Sequence, residues 1–285
     1  MFNIPNILTG FNLLCGVTSI MIVFTGRLDL AVLLIFMGAI FDFFDGMVAR
    51  LLKQSNNLGK QLDSLADIVT FGVAPGMIVF VLLILSGVIE VIVSSEMGIA
   101  QLWKEETMAA SINFWVQSYF NQLVDLQKTG YQNNFFSTWG LVLPFGAFLI
   151  PFFSLFRLAK FNVDDRQTDS FIGLPTPANS IFFASFALLL WDGYNAENWK
   201  TSLSLILLKD QVLMTLVIIF SLLLVSEIKL FSLKLKKLAL KGNELQLFFL
   251  GASLMLLLIL NVWAIPLIII IYIILSILVN TSNKT

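Results

Sequence analysis

Of 285 residues, 58% are hydrophobic and only 12% charged, and the mean hydropathy is +0.90; a soluble domain carries about 25% charged residues. Several apolar runs approach or exceed the ~20 residues that span a bilayer as a helix, which excludes a water-soluble enzyme. With 27 Phe and 6 Trp the chain is not disordered, its one cysteine, Cys15, forms no disulfide framework, and a net charge of −1 offers nothing to nucleic acid. There is no histidine, so any general base must be of another type.

In chain order, the first run (7–25) lacks a basic leader and a small-residue cleavage site and reads as a retained helix. A second (28–44) continues without a breaker into 45–53, and a third covers 62–93. Residues 95–137 mix charges, amides and aromatics, the pattern of an interfacial insertion. Further runs follow at 139–156, 177–191 and 211–226, and 245–280 is long enough for two helices joined at Asn261–Pro266. The expectation is an all-α polytopic membrane bundle of about eight transmembrane helices. Residues 1–192 would form the core, with 95–137 inserted, and 193–285 would add further helices. With the N-terminus inside, twelve of the 17 basic residues fall on the cytoplasmic side, leaving Arg27, Lys104, Lys128, Lys200 and Lys209 outside. That asymmetry predicts both termini in the cytoplasm. The lysines of 229–241 read as an anchor toward anionic headgroups.

Acidic residues at membrane depth are costly and mark function. Four stand where the second run ends and the third begins. Asp42 and Asp45 share one helical face at i, i+3, and Asp63 and Asp67 share another at i, i+4. A hairpin through the turn 51–57 aims both pairs at one point near the cytoplasmic surface. Arg50 and Lys53 are too few to offset four carboxylates, whereas two hard divalent cations, Mg²⁺ or Mn²⁺, would, and such a pair suits phosphoryl chemistry. Gly46 and Ala49, one turn beyond Asp42 and Asp45, leave room for a ligand on that face.

Written out, the segment is Asp42-x2-Asp45-Gly46-x2-Ala49-Arg50-x8-Gly59-x3-Asp63-x3-Asp67. It resembles the signature of the CDP-alcohol phosphatidyltransferases, membrane-embedded enzymes that displace CMP from a CDP-alcohol. The resemblance implies that Asp42, Asp45, Asp63 and Asp67 ligate two metals and that Asp67 is also the base. Gly46, Ala49, Arg50 and Gly59 would line the nucleotide and diphosphate pocket, with Asn6, Thr9 and Asn56 as further nucleotide contacts. It also implies a homodimer, for which Gly251, Ala252 and Ser253 would permit close packing.

A second region, Phe156-Arg-Leu-Ala-Lys-Phe-Asn162 followed by Phe171-Ile-Gly-Leu-Pro-Thr-Pro-Ala178, resembles the serine-using branch of that family. So do Pro5–Asn12 and Ser64–Pro75. The implied substrates are CDP-diacylglycerol and L-serine in a bacterial cytoplasmic membrane. Arg157 and Lys160, at i, i+3, would face the serine carboxylate, with Asn162 beside them. Glycerol 3-phosphate, choline and an inositol phosphate are the alternative acceptors; a phosphorylated one calls for a denser basic pocket. An ion or solute transporter would hold its carboxylates near the midplane between repeated halves. Here the acids sit at helix ends and no internal repeat is visible.

Overall fold

The computed structural model describes residues 3–54, 56–94, 107–125, 136–164, 171–194, 199–231 and 243–282. About half of the expected insertion, and the lysines at 234–241, lie outside these residues. The described chain is helical apart from two short strands.

Helices α1 (Ile4–Val23) and α2 (Leu28–Leu51) pack as a hairpin. The polarity of α1 is inverted relative to a soluble protein, whereas α2 buries mostly apolar residues such as Leu28, Val32 and Ile35. On α1 the residues turned inward include Thr9, Asn12 and Ser19, while Ile4, Leu14 and Met21 are exposed. Lipid tails are as apolar as leucine, so in a bilayer polar and small groups, not greasy ones, are what helix contacts hold. Ser19 donates to the Ala31 carbonyl across the hairpin at 2.8 Å.

The next passage is one helical path in three parts. α3 (Asn57–Asp67) begins at Asn56, whose Oδ1 accepts the Gly59 N–H at 2.7 Å. A π-helical segment, Ile68–Val73, follows directly on Asp67, and α4 (Ala74–Ser94) continues from it. The π segment is wedged into the hairpin by Thr70, which is fully buried and donates to the Asn12 carbonyl at 2.9 Å. Two glycines make the wedge fit. A Cβ on Gly16 would lie 2.4 Å from Thr70 Oγ1 and 2.8 Å from its Cα, and one on Gly38 would lie 2.6 Å from Thr70 Cγ2.

After α5 (Met108–Asp125), α6 (Thr138–Val142) leads through a 3₁₀ segment into α7 (Leu149–Val163). α8 (Thr176–Tyr194) is the central rod, packed on α2, α4, α7, the π segment and later helices. α9 (Trp199–Leu207) and α10 (Asp210–Val225) follow, and Phe182 of α8 stacks on Phe220 of α10 at 3.8 Å. Strand β1 (Phe171–Ile172) pairs antiparallel with β2 (Lys229–Leu230). Between β1 and α8, Gly173 turns at φ +76° and presses on the end of α10: its N–H reaches the Ile228 carbonyl, and that of Leu174 reaches the Leu223 carbonyl. α11 (Glu244–Leu260) and α12 (Ala264–Ser282) flank a short 3₁₀ turn at Asn261–Trp263, where Asn261 has φ +51°.

Five helical runs among the described residues are long and apolar enough to cross a membrane, and six if the pair α9 and α10, bent by 61°, counts as one. The difference from the expected eight has identifiable sources. α8 is polar enough at Thr176, Asn179, Ser180, Ser185 and Asp192 not to score as apolar, because protein and not lipid surrounds it. α11 and α12, joined only by the turn at Asn261–Trp263, count together as one apolar run.

The Thr70 wedge yields a two-part prediction. Gly38→Ala should cost roughly 1–3 kcal/mol through overpacking. Adding Thr70→Ser, which deletes the clashing methyl, should recover much of the loss in the unfolding midpoint of the detergent-solubilised protein. Gly16→Ala should not be rescued, since the obstruction there includes backbone; equal rescue at both sites would contradict the packing.

Candidate active site

Between the C-terminal part of α2 and the last turns of α3, four aspartates come together. One carboxylate oxygen from each of Asp42, Asp63 and Asp67 lies within 4.8 Å of the other two. Asp42 and Asp63 are within hydrogen-bonding distance, and Asp45 interacts electrostatically with Asp42, Asp63 and Asp67. Asp45 and Asp67 are buried, and Asp63 Oδ1 is a buried oxygen without a hydrogen-bond partner. Like charges about 4 Å apart repel by on the order of 4 kcal/mol at an effective dielectric near 20. A cluster of hard oxygen ligands with an orphaned carboxylate oxygen therefore fits divalent cations of the Mg²⁺ or Mn²⁺ type.

α1 orients two of these carboxylates from behind. Thr9 donates to Asp45 Oδ2 at 2.5 Å, and Asn12 Nδ2 donates to Asp67 Oδ1 at 3.0 Å. Each bond holds one carboxylate oxygen in place, Asp45 being met also by the Gly46 backbone N–H, which is how supporting groups set the direction of metal ligands. Sequence reasoning missed Asn12 and Thr70. The signal was present: Asn6, Thr9 and Asn12 recur every three residues on an otherwise apolar helix, a polar stripe that lipid would not tolerate.

Beside the cluster opens a cavity of about 460 Å³. Its lining includes Asn6, Thr9, Gly46, Ala49, Arg50, Asn56 and Gly59, so the seven residues expected around a nucleotide share one space, bounded by Asp45 and Asp63. Lys60 and Gln54 also line it and were not anticipated. Arg50 is exposed at the rim, and Asn56 is at once the cap of α3 and part of the wall. Two cations beside a carboxylate cluster suit an anionic ligand whose charge metals would neutralise.

The three residues expected to meet serine separate. Arg157 is buried and close enough to Asp67 to interact with it electrostatically. Its Nε donates to the Leu174 carbonyl at 3.3 Å and its guanidinium lies 4.7 Å over the Phe161 ring. Lys160 points elsewhere, paired with Glu227 at 2.5 Å on the exposed side. Asn162 is a clasp between α7 and α3: its Nδ2 donates to Ser64 Oγ at 2.8 Å, and its carbonyl accepts from Lys60.

Apolar helices thus surround a carboxylate cluster that could hold a metal ion and a neighbouring cavity lined by Arg50 and Lys60. The chain belongs to the CDP-alcohol phosphatidyltransferase family, whose sequence model matches residues 2–223. It is similar to the CDP-diacylglycerol–serine O-phosphatidyltransferase of Helicobacter pylori, 25% identical over 88% of this chain and 81% of that one. The Bacillus subtilis protein of the same name is 47% identical over 27% of this chain, a match spanning 44% of that protein's length. An archaetidylserine synthase from Methanothermobacter thermautotrophicus is 27% identical over 65% of this chain and 58% of its own.

If Thr9 sets the direction of Asp45, Thr9→Val should weaken Mn²⁺ binding roughly 10–100-fold, the usual cost of losing such support, as read by electron paramagnetic resonance. Thr18→Val, at an exposed hydroxyl bonded only to its own helix, should leave binding unchanged. Equal effects would remove Thr9 from the site.

Proposed function

We propose that this chain transfers a phosphatidyl group from CDP-diacylglycerol to the hydroxyl of L-serine, giving phosphatidylserine and CMP. The observation that carries the reading is the Asp42–Asp63–Asp67 cluster opening beside a cavity lined by Arg50 and Lys60, with buried Arg157 close to Asp67. The names of the relatives, including the archaeal one, support serine as the acceptor.

Asn6, Thr9, Gly46, Ala49, Arg50, Asn56 and Gly59 would hold the cytidine diphosphate. Divalent cations held by Asp42, Asp45, Asp63 and Asp67 would neutralise the diphosphate and ease departure of CMP. Asp67 has one oxygen tied to Asn12 and one available. It would accept the serine hydroxyl proton as that oxygen bonds to the phosphorus carrying the lipid and the bond from phosphorus to the CMP oxygen breaks. Arg157 would take the serine carboxylate on its outer nitrogens. Lys160 and Asn162, engaged with Glu227 and Ser64, would steady α7 instead of touching substrate.

Counting α8, α11 and α12 as separate crossings, and α9 with α10 as one, restores eight. The concentration of basic residues then supports a cytoplasmic site and cytoplasmic termini in a bacterial inner membrane. The core at 1–192 would borrow from α10 the seat of the Gly173–Leu174 turn, and the homodimer remains part of this reading.

Two variants test it in one assay of CMP release. Asp67→Asn should reduce turnover at least about a thousandfold while CDP-diacylglycerol still binds, within the range expected when positioning and base chemistry are lost together. Arg157→Ala should raise the serine KM by about tenfold or more, the factor that about 1.4 kcal/mol represents, with little change in the KM for CDP-diacylglycerol. An active Asp67→Asn, or an Arg157→Ala in which both KM values move together, would overturn these roles.

A further inference from the structure

Not every polar group in the interior is accounted for by the carboxylate cluster. Asn179, in the first turns of α8, is fully buried, and among the described residues neither its Oδ1 nor its Nδ2 has a hydrogen-bond partner. Ser180 Oγ and Ser154 Oγ are likewise buried without partners. An amide withdrawn from water with nothing to bond is costly. One such group can be a flaw of packing. Several on α7 and α8, which pack on each other and on the same π segment, point to a polar ligand that these side chains would meet.

Their location narrows what that ligand is. Ser154 lies one turn before Arg157 on the buried face of α7, and that face packs on the π segment: a Cβ on Gly72 would come within 3.2 Å of Ser154 Cβ. Asn179 is tied to the same turn that Arg157 grips. The Leu174 carbonyl accepts from Arg157 Nε, and the next carbonyl, Pro175, accepts the Asn179 backbone N–H. α8 also packs against the π segment that begins one residue after Asp67. Among the described residues Arg157 makes one hydrogen bond, through Nε, so its two outer nitrogens are uncommitted.

We infer that Asn179 is a specificity-determining residue of the acceptor pocket: with Arg157 it binds an amino-acid zwitterion, Arg157 taking the carboxylate and Asn179 Oδ1 accepting from the ammonium group. Ser154 and Ser180 supply hydroxyls to the same ligand. This rests on the serine reading above and extends it from one cation to a pocket with both polarities. An amide suits the task because it accepts from an ammonium without adding a further negative charge beside four aspartates. A carboxylate there would pair with Arg157 and close the pocket.

The test separates a ligand-binding amide from a structural one. Asn179→Leu keeps the branched outline of the amide at a somewhat larger volume and removes a buried polar group that has no hydrogen-bond partner among the described residues. It should therefore leave the unfolding midpoint of the detergent-solubilised protein unchanged or raised. The serine KM should rise about tenfold or more and the CDP-diacylglycerol KM stay within about twofold. The protection that L-serine gives wild type against thermal unfolding, read without turnover, should disappear. Asn179→Ala gives the same KM pattern should the leucine variant fail to fold. A lowered midpoint with both KM values displaced, or an unchanged serine KM in either variant, would overturn the assignment. If wild type uses another acceptor instead of serine, the serine reading falls. The same KM comparison on that acceptor then decides Asn179, whose proposed role fails if that acceptor lacks an ammonium group and its KM does not move.

Discussion

Four carboxylates crowded between α1, α2 and α3 are the constraint on which the rest of the structure depends. Left to themselves they would repel, and burial in a bundle surrounded by lipid removes the water that would screen them. Among the described residues no lysine or arginine sits inside the cluster to relieve this. The fold places Arg157 near Asp67 and confines Arg50 and Lys60 to the wall of the neighbouring cavity. The charge balance is thus left open for cations and a phosphate-bearing ligand. A site that is electrostatically incomplete without its ligands is preorganised to hold them.

Holding such a cluster in place requires rigid backing, and α1 supplies it. Thr9 and Asn12 each take one oxygen of a carboxylate, while Thr70, seated between Gly16 and Gly38, locks the π segment just beyond Asp67. A π segment shifts the register of a helix, and such segments recur at functional sites. Here it lets one continuous helical passage present Asp63 and Asp67 to α2 and Thr70 to the α1–α2 hairpin. On the far side, Gly173 and Leu174 bind the end of α10 and offer a carbonyl to Arg157, so the cation near the cluster is positioned by helices distant in sequence.

Much of this was legible in the chain. Helical spacing alone placed the two aspartate pairs on facing stripes, and the small residues Gly46 and Ala49 do line the adjacent cavity. Less visible were the features that depend on which helix packs against which. Lys160 stands at i, i+3 from Arg157, yet its partner is Glu227, 67 residues on, and spacing on one helix cannot report that. Asn162 likewise finds Ser64 across 98 residues. α8 is less apolar than most of the helices around it for the same reason that it matters: it is enclosed by protein, so its sequence carries buried polar residues such as Asn179 and Ser180. The inward polar stripe of α1 was readable as a period of three, and Asn12 belongs to it.

The central claim is that this site moves a phosphatidyl group to serine with the help of divalent cations. It is tested most directly by CMP release from detergent-solubilised protein given CDP-diacylglycerol and Mn²⁺, with L-serine, glycerol 3-phosphate, choline or inositol phosphate in separate reactions and a chelator control for each. The account predicts release with L-serine alone, abolished by the chelator. Release with a different acceptor, or release that survives removal of the metal, would contradict it.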